Sequence, residues 1–171
     1  LSEPMARLGA DVVGADAAEA NVKTAVLHAG QQGLTIDYRA TTAEQLVVEG
    51  ETFDAILNME VIEHVADPQA FMNACGQLMR PDSIMFLATL NRTLKAFAMA
   101  IVGAEYVLRW LPRGTHEWDK FITPKELGDM AEKAGLEFFT STGVSFNPLT
   151  DKWRQSGDMS VNYMGVARKA S

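Results

Sequence analysis

Residues 83–90 read SIMFLATL, with no charge among them. Such a run has no polar side to turn toward water. It fits a strand covered on both faces, as in sheets sandwiched between helices. The rest of the chain is therefore expected to alternate strands with helices.

That alternation is legible from the first residue. Leu1, Met5 and Leu8 recur at helical spacing before Gly9. Residues 12–16 form a short apolar strand ending at Asp16. Residues 17–32 place Val22, Val26 and Ala29 on one helical face, and Gly33 ends that helix. Leu34, Ile36 and Tyr38 alternate as a strand, and 41–48 is a short helical or irregular segment. Phe53, Ala55, Ile56 and Leu57 form the next strand. Asp67-Pro68 is a cap followed by a first-turn proline, and Phe71, Cys75 and Leu78 give the buried stripe of a helix ending near Arg80-Pro81. After the strand at 83–90, residues 96–112 make an apolar helix charged only at Glu105 and Arg109. Thr123-Pro124-Lys125-Glu126 is a capping box. Its helix carries Leu127, Met130, Ala131 and Ala134. The last strands are 136–141 and 161–167, separated by a long segment containing Trp153. The expected architecture is one α/β domain over 1–171, with a parallel sheet and right-handed crossovers.

Composition narrows the function. The net charge of −7 argues against nucleic acid as partner. A single cysteine, Cys75, permits no internal disulfide and fits a reducing, cytoplasmic setting. Its place on an apolar helical stripe makes it core material rather than a nucleophile. No uncharged apolar run reaches the roughly 18 residues of a spanning helix.

The strand from Phe53 stops being apolar at Met59, Glu60, Glu63 and His64. In open α/β sheets ligands bind at the carboxyl ends of the strands. Glu60, Glu63 and His64 stand at i, i+3 and i+4, so a helical turn would put them on one face. Three readings stay open. They suit a divalent ion with open coordination positions, metal-free general base chemistry by His64, or a solvated helix start. Asp16 either accepts hydrogen bonds from the ribose of a bound nucleoside or caps the next helix. Thr42 and Ala43 either line an adenine pocket or belong to a helix start capped by Thr41 or Thr42. His28 reads as a solvated helix residue. His116, beside Trp118, is a candidate substrate contact.

The runs VVGADAAEANV, ATTAEQL, FDAILNMEVIEHVADPQAF, ATLNRTLKAFAMAIVGAEYVLRWLPRGTHEW and VNYM resemble the ubiquinone biosynthesis O-methyltransferases, the bacterial form above all. The resemblance covers essentially the whole chain. It implies a Rossmann-like fold, a mostly parallel sheet with an antiparallel last strand, and S-adenosylmethionine as cofactor. It implies O-methylation of polyprenylated catechols, namely 2-polyprenyl-6-hydroxyphenol and 3-demethylubiquinol. Asp16, Met59, Thr42 and Ala43 would hold the cofactor. Glu60, Glu63 and His64 would be catalytic and would match a magnesium site. Residues 94–118 would be an insertion that meets membrane lipid or the substrate, placing the protein in the cytoplasm at the inner membrane. Other ubiquinone-biosynthesis proteins are expected partners.

The family's first strand and glycine-rich loop have no counterpart in the chain, so a truncated protein is expected. An inactive lipid- or quinone-binding module is the alternative this raises. A nicotinamide oxidoreductase is disfavoured, because no G-x-G-x-x-G is present.

Overall fold

The computed structural model describes residues 1–97, 118–147 and 152–170. The expected apolar helix from residue 98 onward, and the loop with His116, lie outside them. The chain divides into two compact units, Leu1–Glu51 and Thr52–Ser171.

The first unit contains α1 (Ser2–Arg7), β1 (Val13–Asp16), α2 (Glu19–Gln31), β2 (Asp37–Ala40) and α3 (Ala43–Val48). β1 and β2 are parallel, with Val13 opposite Asp37 and Asp16 opposite Ala40. β2 starts later than the alternation from Leu34 predicts. The Leu34 N–H bonds back to Ala29 and closes α2, so it is spent before the ladder begins. Gly33 supplies the left-handed backbone this closure needs, at φ 66°. Two polar clusters tie the unit together. His28 Nδ1 meets Glu3 Oε1 at 2.5 Å, and Arg39 bridges Asp37 and Glu51.

The second unit contains β3 (Phe53–Met59), a 3-10 turn (Ile62–His64), α4 (Pro68–Leu78), β4 (Met79–Leu90) and α5 (Leu94–Ala96). After these come a second 3-10 turn (Trp118–Lys120), α6 (Pro124–Lys133), β5 (Glu137–Asn147), β6 (Lys152–Ser156) and β7 (Asn162–Arg168). Both predicted caps are present. Asp67 accepts from the Gln69 and Ala70 amides, and Thr123 and Glu126 form the reciprocal capping box of α6.

The sheet of this unit runs β3-β4-β7-β5-β6. Only β3 and β4 are parallel; β7 is antiparallel to both β4 and β5, and β6 is antiparallel to β5. The sheet is thus mixed rather than mostly parallel, although the antiparallel last strand is as expected. The strand at 136–141 is as expected, but β5 runs on through residues 143–147 and pairs there with β6, antiparallel, where a long segment without strands is expected.

β4 is fully buried on one face and half-buried on the other, not sealed on both. Ser83, Met85, Leu87 and Thr89 are buried, while Ile84, Phe86 and Ala88 are half-buried. Laddered partners share a face. Ala167, Gly165 and Tyr163 of β7 therefore lie beside Met85, Leu87 and Thr89. Met72, Cys75 and Leu78 of α4 and Leu127 and Ala131 of α6 complete this core. The opposite face carries Leu57, Met59, Phe86, Ala88, Met164 and Val166, none of them fully buried.

Candidate active site

β3 delivers Met59 to the carboxyl edge of the sheet, and the strand ends there for a visible reason. Glu60 takes a left-handed backbone, φ 55°, while its N–H still bonds the Ala88 carbonyl at 2.8 Å. A non-glycine residue in that region is uncommon and is held by its surroundings. The chain then turns through Ile62–His64.

This geometry breaks the helical spacing expected of Glu60, Glu63 and His64. The turn is one short 3-10 segment, and Glu60 precedes it. Glu60 and His64 are exposed, whereas Glu63 is 3% exposed and accepts a hydrogen bond from Thr89 Oγ1 at 2.9 Å. Burial pushes the Glu63 carboxyl up from its ordinary value; its own backbone N–H, the Thr89 hydroxyl and nearby His64 offset this only in part. Among the described residues, no group of three or more His, Cys, Asp or Glu side chains is placed to hold a metal ion. The expected magnesium set therefore does not fit: two of its members face solvent and the third faces the core. Glu63 belongs to the support of the site rather than to its reacting surface.

Met59 and Glu60 border an open hollow of about 210 Å³. Ala88 and Met164 continue it across the sheet, and Val144, Trp153, Asn162 and Tyr163 complete it. Tyr163 is not an acid–base candidate. Its hydroxyl donates to the Ile122 carbonyl at 2.9 Å, and its ring is fully buried. Burial, then the charges of Glu126 and Glu63, raise its pKa and keep the phenol protonated.

The first unit holds the other expected cofactor residues. Asp16 is exposed at the end of β1. Its Oδ1 accepts from the Ala18 amide at 2.7 Å and its Oδ2 from Asn21 Nδ2 at 3.1 Å. The carboxylate is thus fixed in place before α2, whose N-cap is Ala18. Each oxygen retains acceptor capacity, so the local role and a ribose contact are compatible. Thr42 caps α3 by accepting from the Gln45 amide, the simpler of the two readings for this segment. Beside it, Thr41 Oγ1 is buried without a hydrogen-bond partner among the described residues. An orphaned hydroxyl next to Thr42 and Ala43 fits a polar ligand there.

Sequence reading missed Asn58, whose amide oxygen and nitrogen are both buried without a partner among the described residues. The one signal was an asparagine inside an apolar strand. It also missed Trp153 and Asn162, which reach the hollow only through strand pairing.

A family model described as a methyltransferase domain matches residues 1–141. The ubiquinone biosynthesis O-methyltransferase of Parvibaculum lavamentivorans is 66% identical over 170 residues, covering 99% of this chain and 67% of that protein. The protein of the same name from Mesorhizobium japonicum is 60% identical, covering 100% and 69%. Among solved structures, magnesium protoporphyrin IX methyltransferase from Synechocystis with bound SAH superposes with a TM-score of 0.70 at 18% identity, covering 99% of this chain and 69% of that one. A SAM-dependent methyltransferase from Methanosarcina mazei gives 0.71 at 17% identity, covering 99% and 87%. The chain belongs to the methyltransferase-domain family and, within it, to the ubiquinone biosynthesis O-methyltransferases, which are S-adenosylmethionine-dependent enzymes.

Proposed function

We propose that the protein methylates a phenolic oxygen of polyprenylated catechols, with 2-polyprenyl-6-hydroxyphenol and 3-demethylubiquinol as its acceptors. The observation that carries this reading is the hollow at the carboxyl edge of β3 and β4, where an apolar surface ends at the Glu60 carboxylate. A hydroxylated ring with an apolar tail suits that combination. S-adenosylmethionine, when bound, supplies a methyl group on a sulfonium centre.

The chain's own residues then have separable tasks. Asp16, Thr42 and Ala43 bind and orient the cofactor. Met59, at the end of β3, is the other residue assigned to the cofactor. His64, exposed three positions beyond Val61, takes the phenolic proton and so raises the nucleophilicity of the acceptor oxygen. Glu60, at the rim of the hollow, accepts a hydrogen bond from the neighbouring hydroxyl and orients the ring. Positioning of this kind supplies much of the rate in a two-substrate transfer. General base chemistry needs no convergence of Glu60, Glu63 and His64, and it is the version favoured here over a magnesium-held acceptor.

The substrate's prenyl tail implies work at a lipid surface. Leu94 is 79% exposed and Phe97 40% exposed, with Lys95 between them. Apolar side chains beside a cation suit a membrane interface. The contact proposed is peripheral; among the described residues no helix is long and apolar enough to cross a membrane.

The deciding experiment uses full-length protein, labelled S-adenosylmethionine and a short-prenyl catechol. Transfer of label to the phenolic oxygen is expected. Absence of transfer to any catechol overturns the reading. A rate abolished by chelation and restored by magnesium replaces the His64 version with the metal-assisted one.

A further inference from the structure

The ladder registers place the hollow on one face of the sheet. Met59 pairs with Ala88, and Ala88 with Met164, so the three lie side by side. Two residues along β7 from Met164, on the same face, Asn162 sits opposite Val144. Val144 in turn pairs with Gln155, two residues from Trp153, which shares their face. With three strands between it and β3, the edge strand β6 thus returns an indole to the same surface.

Trp153 is 61% exposed. An indole offers a large flat apolar surface and favours an aromatic or thioether neighbour. Met59 and Met164 supply polarizable sulfur near it. Ala88, the smallest side chain of the row, leaves the space between them. Polar groups are confined to Glu60 and Asn162 at the rim. The volume, about 210 Å³, is below the roughly 300–1,000 Å³ of pockets that enclose a whole drug-sized ligand. It suits one ring with its tail left outside.

We propose that this hollow is the acceptor-ring subsite, in which Trp153 and Met164 hold the faces of the phenolic ring and Asn162 binds a ring oxygen. The assignment rests on the catechol reading above. It adds two specificity-determining residues, Trp153 and Asn162, which strand register brings to one surface.

The test measures acceptor KM and S-adenosylhomocysteine affinity in full-length wild type, Trp153→Ala, Trp153→Phe and Asn162→Ala. Trp153→Ala is expected to raise acceptor KM about tenfold, the size of a lost aromatic contact, with S-adenosylhomocysteine affinity unchanged. Trp153→Phe should recover most of that loss. Asn162→Ala should raise KM most for acceptors carrying the second ring oxygen. An acceptor KM unchanged in Trp153→Ala, or equal weakening of both ligands, overturns the subsite. If Trp153→Ala does not fold, wild type is photolabelled with an aryl-azide catechol. Label in the peptide spanning 153–164 supports the proposal, and label confined elsewhere overturns it. A wild type inactive on every catechol instead removes the underlying function, a distinct result.

Discussion

Thr89 Oγ1 donates a 2.9 Å hydrogen bond to the Glu63 carboxylate, and both residues are sealed from solvent. The bond joins the 3-10 turn after β3 to the end of β4. It fixes the turn that carries His64 and leaves Glu60 at the rim. Replacing Thr89 by Val removes the donor and leaves a buried carboxylate short of a partner. The expected cost is about 2 kcal/mol, the range for hydrogen bonds to charged groups. Thr89→Ser should retain most of the stability. Urea midpoints at constant m-value measure both.

Glu63 also sets a pH dependence. Burial raises its folded pKa above the ordinary glutamate value of 4.5. Between the two values the folded state holds the extra proton, so stability falls as pH rises through that window. The contribution is fully present below 4.5 and is lost above the raised value. Glu63→Gln removes the titration but keeps an oxygen acceptor for Thr89. Its melting temperature should therefore gain on wild type as pH rises above the ordinary value of 4.5. A difference between the two proteins that is flat with pH removes the buried-carboxyl account.

Tyr163 tests whether the floor of the site is structural. Its hydroxyl reaches the Ile122 carbonyl next to the start of α6. Tyr163→Phe keeps the ring and deletes one buried hydrogen bond, for about 1 kcal/mol. The pH profile of methyl transfer should not move, because the phenol stays protonated throughout. A shifted profile would return Tyr163 to the list of acid–base groups.

What the sequence made legible was local. Asp67-Pro68 and the Thr123–Glu126 box announce their helices because a cap is decided by residues within one turn. β3 and β7 announce themselves by short apolar runs. β6 does not: residues 152–155 are all exposed, so no burial alternates along it, and an edge strand rich in charge is built that way. β4 starts at Met79 and runs through Pro81 and a left-handed Asp82, signals that read as a break. The site divides along the same line. Met59 and Glu60 sit at a strand end that one sequence reveals. The left-handed turn at Glu60 and the inward aim of Glu63 depend on Ala88 and Thr89, about 26–28 residues away. Trp153 and Asn162 join only through register, which no short pattern encodes.

Gly165 offers the sharpest test of how β7 sits beneath α6. A Cβ there would stand 2.5 Å from Phe138 Cε2 and 3.7 Å from Leu127 Cδ2. The Phe138 ring thus lies across the strand because the glycine has no side chain. Gly165→Ala must push that ring toward α6, and overpacking of this kind costs roughly 1–3 kcal/mol. Trimming the ring in Phe138→Leu opens a cavity and destabilises on its own. In the double variant each change relieves the other, so its loss should be smaller than the sum of the single losses, with a coupling of about 1 kcal/mol. Strict additivity in urea unfolding would mean that the ring has another place to go, and that Gly165 is not what sets the spacing between β7 and α6.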